Sequence, residues 1–488
     1  MENTNLLSKN NLTMLTDFYE ITMANGFFAT GQGEKTVYFD MFFRTIPDGG
    51  GLAIMAGVEQ VINYMKNLSF TEEDLTFLRE KKMFDERFLE YLRNFRFSCD
   101  VWAVPEGTPV FPHEPIVTVR GPAMQAQFVE TMVLVLVNHQ SLIATKSSRI
   151  VRAAQGRPVM EFGSRRAQGC DGAIYGARAS YIGGCSGTAC TIVDREFGIP
   201  ALGTMAHSWV QLFDTEYEAF KAYAETYPDA CVLLVDTFNV LKSGIPNAIR
   251  VFNEVLVPKG YRPKGIRIDS GDITYLSKKA RRMLDEAGFP DCKITASNSL
   301  DEYTIQDMIR QGACVDSFGV GERMITASSA PVFGGVYKLA AVEDAQGNIL
   351  PRIKVSENVV KITNPGFKKL WRLYDRENGK AIADVITLHN ETIDDTKPYE
   401  IFDPEHVWKR KTVTNFRAVP LQVPLFKDGK CVYNSPSVEE IRRYCQAQID
   451  TMWDEVLRFE NPHKYYVDLS QALWDEKQQL LLKYGHKM

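Results

Sequence analysis

Six polar clusters in the middle of this chain hold side chains that can do chemistry. They are Gly163-Ser164-Arg165-Arg166, His207, Asp236-Thr237, Asp269-Ser270-Gly271-Asp272, Ser297-Asn298 and Gly319-Val320-Gly321. Arginine forks and exposed backbone N–H groups bind phosphate oxygens. Asp269 and Asp272 suit sugar hydroxyls or a Mg²⁺ ion. The plain alternative for Asp-Ser-Gly-Asp is a turn followed by a helix N-cap. His207 ends the stretch Gly203-Thr204-Met205-Ala206 and is one of only seven histidines. Alone, such a histidine is ordinarily a hydrogen-bonded packing residue. Gly-Val-Gly is weak by itself, because no helix with a third glycine follows as a dinucleotide fingerprint needs.

Each cluster closes a short apolar run: RPVMEF, PALGTMA, ACVLLV, GIRI, KITA and VDSFGV. Helical patterns lie between most of them, such as Thr215–Tyr227 and Thr274–Ala287. Ser299-Leu300-Asp301-Glu302 has capping-box spacing, and Gly312 suits that helix's end. Strands and helices alternating every ~25–45 residues predict parallel strands with helical crossovers. A (β/α) barrel and an open doubly wound sheet both fit. In either, ligands bind at the carboxyl ends of the strands, so the six clusters should share one rim.

On either side of this segment the texture changes. Residues 100–123 are rich in Pro, Gly and Val and read as short strands with turns, and a buried helix should follow over Gln125–Thr145. Beyond about residue 343 the chain is more charged. DRENGK and FKDGK read as hairpin turns, with helices over Val438–Arg458 and Leu469–Tyr484. Near the start, Leu15-Thr16-Asp17-Phe18-Tyr19 reads as a capped amphipathic helix with Tyr19 on its core face.

At 488 residues the chain can bury a large core, and a net charge of −5 speaks against a general nucleic-acid binder. The opening residues lack a signal-peptide apolar core, and the longest apolar run, Met132–Val137, is too short to span a bilayer. Nine cysteines without zinc-type spacing suggest reduced thiols and a cytoplasmic location. No GxxxxGK[ST] occurs, so ATP would not sit on a P-loop. The two acids and Thr-Gly of purine-type phosphoribosyltransferases are also absent.

Taken together, TDFYE, EFGSRR, GTMAHSW, RIDSGD, ASNSLDE, FGVGERMITA and GGVYKL resemble the nicotinate phosphoribosyltransferase family, in order over nearly the whole chain. The resemblance implies an α/β fold: an irregular (β/α) barrel of the type II phosphoribosyltransferase kind over 151–342. An N-terminal α/β domain over 1–150 and a C-terminal α+β extension over 343–488 would flank it. It implies transfer of phosphoribosyl from 5-phosphoribosyl 1-diphosphate to nicotinate with ATP as co-substrate, Mg²⁺ as cofactor, and a homodimer with shared sites.

Carried over by position, His207 is the histidine that ATP phosphorylates. Phe162 and Tyr19 sandwich the pyridine ring, Tyr19 coming from the partner subunit. Arg165 and Arg267 lie near the carboxylate and the sugar phosphate, and Thr204 contacts nicotinate. Asp269 serves the ribose side, and Asn298 joins the substrate contacts. Gly319 and Gly321 form the 5′-phosphate turn. Mg²⁺ would be held mainly by diphosphate, with Asp269 or Asp272 as the protein oxygens on offer. Where some relatives have a phosphate-contacting threonine this chain has Glu322-Arg323; Glu322 is expected to point away and Arg323 to substitute. The rivals are a nicotinamide phosphoribosyltransferase and a non-catalytic sensor of phosphoribosyl ligands. The loop GGCSGTAC lacks the carboxylate that would suit an amide, which favours an acid substrate.

Overall fold

The computed structural model describes residues 11–485; the first half of the polar opening stretch lies outside them. The chain gathers into two compact units. One comprises 143–331, and the other comprises 1–142 together with 332–488.

In the 143–331 unit six short strands form one parallel sheet. They are Val159–Glu161, Gly187–Thr188, Val232–Leu234, Gly265–Ile268, Lys293–Ser297 and Ser317–Val320. The first strand pairs with both the second and the last, and the remaining neighbours follow chain order. That is the cyclic order of a (β/α) barrel, opened where 202–206 meets no strand. The strands are near-continuous apolar runs because parallel strands are covered on both faces. The crossover helices follow their caps. Thr215 and Glu218 form a capping box on Glu216–Thr226, and Asp272 caps Ile273–Glu286. The third helix is capped by Asp301, which accepts from Thr304 N, so Ser299 is not the cap. Ser299 lies at φ +41°, outside the extended conformation a capping residue needs.

The other unit is built on a seven-stranded antiparallel sheet. Its strand order is Ile349–Pro351, Val336–Glu343, Thr36–Phe42, Val117–Pro122, Asp100–Ala103, Val423–Lys427 and Lys430–Cys431. Val336–Glu343, read from sequence as the end of the barrel segment, thus pairs with Thr36–Phe42. A strand of the expected C-terminal extension pairs with Asp100–Ala103. The first and third sequence segments therefore share one sheet. A second sheet, of Phe416–Pro420, Lys368–Asp375, Ala381–Leu388 and Val467–Leu469, carries the predicted DRENGK hairpin. The last helices are Val438–Asp450, which stops eight residues short of the predicted end, and Gln471–Gly485. The predicted helix over Gln125–Thr145 is two, Ala123–Phe128 and Glu130–Ala153. Together they are long and apolar enough to cross a membrane, but 72% of the apolar window is buried in the protein, as for a core helix.

Two buried carboxyls give this unit a pH response. Burial pushes Glu20 up to about 7, against hydrogen bonds from Thr131 and Thr16. Burial, helped by the charge of Asp403, pushes Asp468 up to about 7 as well. A carboxyl with a raised folded-state pKa holds its proton more tightly when folded. Its contribution is full below the unfolded value near 4 and is lost as pH rises through about 7, on the order of 2 kcal/mol for each group. Melting temperature should therefore fall between pH 5 and 8, and a Glu20→Gln/Asp468→Asn double variant should show a flatter profile. An identical slope in parent and variant would remove these two groups from the explanation.

Candidate active site

Phe162 follows the Val159–Glu161 strand, and its N–H donates to Val320 O at 2.7 Å. Its ring lies on Gly319: a Cβ built there would stand 2.5 Å from Cδ2 and Cε2 of the ring. A Cβ at Gly321 would stand 3.0 Å from Phe162 O. Both glycines thus seat Phe162, a role the sequence reading did not give them. Gly319→Ala should force the half-buried ring off its strand at a cost of about 1–3 kcal/mol. Thermal unfolding checks this, and an unchanged melting temperature would mean the ring has room to move. Beneath the turn, the fully buried Glu161 accepts hydrogen bonds from Gly163 N and, at 2.6 Å, from Thr188 Oγ1. Burial raises its pKa against those two bonds.

His207 does not end a strand. Residues 202–206 form no ladder, Ala201 makes only an isolated bridge to Thr188, and His207 opens the five-residue helix His207–Gln211. The run PALGTMA lacks β-branched residues except Thr204, which weakens it as a strand. The neighbouring strand ends still surround the ring. His207 Nδ1 is 3.1 Å from Thr237 Oγ1, and Nε2 is 3.9 Å from Asp269 Oδ2. Asp269 is fixed twice: Ser297 Oγ donates to its Oδ1, and its own N–H donates to Asp236 Oδ2 at 2.9 Å. Ser270 Oγ donates to the same Asp236 oxygen at 2.7 Å. Arg267 Nη1 donates to Thr204 Oγ1 at 2.7 Å. Burial presses the Arg267 guanidinium below its ordinary pKa, opposed by Asp269 and Asp236 and assisted by Arg165. It stays charged at any physiological pH. The exposed Arg165 sits on the Ser164–Arg166 turn.

Other expected residues are placed differently. Asp272 accepts from Tyr275 N at 3.0 Å as a helix cap, the plain alternative offered from sequence. Asp236 stands beside Asp269, joined to its N–H. Among the described residues, its buried Oδ1 and the buried Arg267 Nε have no hydrogen-bond partner. Orphaned buried polar atoms at a rim point toward a ligand. A hard divalent cation prefers carboxylate oxygens, and Asp236 and Asp269 supply them. Glu322 faces Arg166 at 3.8 Å, and Arg323 donates to Asp301 Oδ2. Arg323 is therefore engaged with a helix cap, which counts against its standing in for the missing threonine. Asn298 takes φ +99°, strain that concentrates at functional turns. Tyr19 lies in the other unit, on Phe18–Ala29, and is 44% exposed, not on the helix's core face. From sequence, Asp236, Thr237 and Ser297 belong to the rim clusters without individual roles, and Glu161 has no role at all.

Fold and site together define an α/β protein of the type II phosphoribosyltransferase class. A family model described as the nicotinate phosphoribosyltransferase N-terminal domain matches residues 14–138, and one for its C-terminal domain matches 367–477. The chain is 44% identical over 470 residues to nicotinate phosphoribosyltransferase of Bacillus subtilis, covering 96% of this chain and 95% of that one. It is 30% identical over 517 residues to the Homo sapiens nicotinate phosphoribosyltransferase, covering 94% and 95%. The solved structure of human nicotinic acid phosphoribosyltransferase superposes with a TM-score of 0.85 at 29% identity, over 95% of this chain and 99% of that one. A nicotinate-nucleotide pyrophosphorylase from Pyrococcus furiosus gives 0.69 at 25% identity, over 92% and 97%. The chain belongs to the nicotinate phosphoribosyltransferase family.

Proposed function

We propose that this protein transfers phosphoribosyl from 5-phosphoribosyl 1-diphosphate to nicotinate, giving nicotinate mononucleotide and diphosphate for NAD synthesis. ATP hydrolysis is coupled to the transfer through a phosphohistidine at His207. The observation that carries the reading is the convergence of His207, Asp269, Asp236 and the Arg267–Thr204 pair beside Phe162. A pure binding protein has no use for a histidine held between a threonine and a carboxylate.

The pyridine nitrogen of nicotinate is unprotonated near pH 7. Its lone pair attacks C1 of the ribose as the C1–O bond breaks, and the electron pair leaves with diphosphate. No proton moves, so the work of the protein is positioning and charge stabilisation. Phe162 supplies one flat face for the ring. Arg267 and Arg165 supply positive charge for the carboxylate and the phosphates. Mg²⁺, held by Asp236 and Asp269 together with diphosphate, would supply Lewis-acid stabilisation of the leaving oxygens. Thr237 and Asp269 hold the His207 ring from two sides. A ring nitrogen takes the γ-phosphoryl group as ADP leaves, and water later releases phosphate. The added negative charge reorganises the rim between these states. Tyr19, exposed beside the equally exposed Phe18, closes a neighbouring copy's pyridine site in a homodimer. The nine cysteines, all free thiols, suit the cytoplasm.

The Gly183–Cys190 segment, which includes the Gly187–Thr188 strand, has Ala189 at an exposed position and no carboxylate. Nicotinate should therefore be preferred to nicotinamide by about 100-fold or more in kcat/KM, since an acid site leaves amide N–H groups unpaired. Competition between the two pyridines in one reaction measures this. A preference for the amide would move the protein to the rival reading, and binding without product would favour the sensor.

A further inference from the structure

Glu161 carries a feature that the transfer reaction does not by itself require. Its side chain is fully buried at the end of the Val159–Glu161 strand, between two rim segments. One carboxylate oxygen accepts from Gly163 N, directly after Phe162. The other accepts from Thr188 Oγ1 at 2.6 Å, and that same hydroxyl oxygen accepts from Cys190 N at 3.0 Å. The backbone repeats the link, because Ala189 N donates to Glu161 O at 2.8 Å. One residue thus fixes Phe162 and Ala189 relative to each other, through side chain and main chain together.

We infer that Glu161 is a positioning residue for the pyridine pocket, clamping the Phe162 turn to the Ala189 loop through Gly163 N and Thr188 Oγ1. It touches no substrate. It sets the spacing between the Phe162 face that stacks on the ring and the Ala189 segment beside it. The inference rests on the nicotinate reading above. The phosphoribosyl side of the site, at Asp269 and His207, is held by a separate set of bonds through Asp236, Ser297 and Thr237. Loss of the clamp should therefore weaken nicotinate binding and spare 5-phosphoribosyl 1-diphosphate.

Glu161→Gln keeps the shape but loses the charge, and Thr188→Val removes the bridging hydroxyl at constant volume. In each, the KM for nicotinate should rise about 10-fold, the scale of a lost hydrogen bond to a charged group, while the KM for 5-phosphoribosyl 1-diphosphate stays within about two-fold. The double variant should be no worse than the poorer single, because both break one link. Thr188→Ser should restore the nicotinate KM. Equal movement of both KM values, an unchanged nicotinate KM, or additive losses in the double variant would overturn the inference. Glu161→Ala is omitted as prone to unfold. The parent enzyme is assayed alongside: if it makes no nicotinate mononucleotide, the functional reading fails, a result distinct from failure of the clamp.

Discussion

His207→Asn should lose ATP stimulation entirely and lower kcat/KM for nicotinate by about 10²–10³-fold, the range for removing one preorganised group from a charged transition state. The variant should leave the fold intact, because His207 is half exposed and opens a helix of only five residues. Asparagine keeps a polar group near Thr237 but offers no ring nitrogen to take a phosphoryl group. Asp269→Asn should fall in the same direction with a smaller effect, since Ser297 can still donate to the side-chain oxygen and Asp236 still holds the backbone N–H. Steady-state rates with and without ATP distinguish the two. A His207→Asn enzyme still stimulated by ATP would place the energy coupling elsewhere.

The second large effect concerns stability. Arg372 and Asp384 are both fully buried, joined by a two-pronged ion pair at 2.8 and 2.6 Å. Tyr465 donates to Asp384 at 3.0 Å, and Arg372 also donates to Pro109 O at 2.8 Å. Glu114, also buried, sits close enough for burial and the charge of Asp384 to raise its pKa strongly, with Arg372 opposing. Arg372→Met removes the cation from between two buried carboxyls. The expected loss is about 3–5 kcal/mol, because Asp384 is left charged without a counter-ion. That is a large part of the net stability of an ordinary domain, about 5–15 kcal/mol. Arg372→Met/Asp384→Leu should recover part of it. Denaturant unfolding measures both variants, and a loss below about 1 kcal/mol would show that the site relaxes or admits water.

Five of the six parallel strands were legible because each lies in a short apolar run closed by polar residues, the signature of strands buried on both faces; Gly187–Thr188, inside a segment read as loop, was not. The helix over Thr215–Tyr227 was legible from its pattern, and Thr215 with Glu218 closes its start. A helix start was not legible where two candidates compete: Ser299-x-x-Glu302 has the right spacing, but Asp301 is nearer the helix and in extended conformation. The strand expected before His207 failed for want of β-branched residues. The N-cap role of Asp272 was offered from sequence as the plain alternative, but only the folded turn brings its carboxylate to Tyr275 N. Long-range pairing was not legible at all. Nothing local tells Val336–Glu343 to join Thr36–Phe42, some three hundred residues earlier. The same holds for Glu161, whose partners Gly163 and Thr188 meet only when two strands pair.

If ATP drives phosphoribosyl transfer through His207, a phosphoryl group must pass through its ring, and a label chase follows it there. The enzyme is incubated with Mg²⁺ and ATP labelled at the γ-phosphate, freed of nucleotide, and then given nicotinate and 5-phosphoribosyl 1-diphosphate. Acid-labile label should sit on His207 in the parent and be absent in His207→Asn, and labelled phosphate should be released together with nicotinate mononucleotide. Unlabelled protein that still makes the mononucleotide at the ATP-stimulated rate would contradict that route.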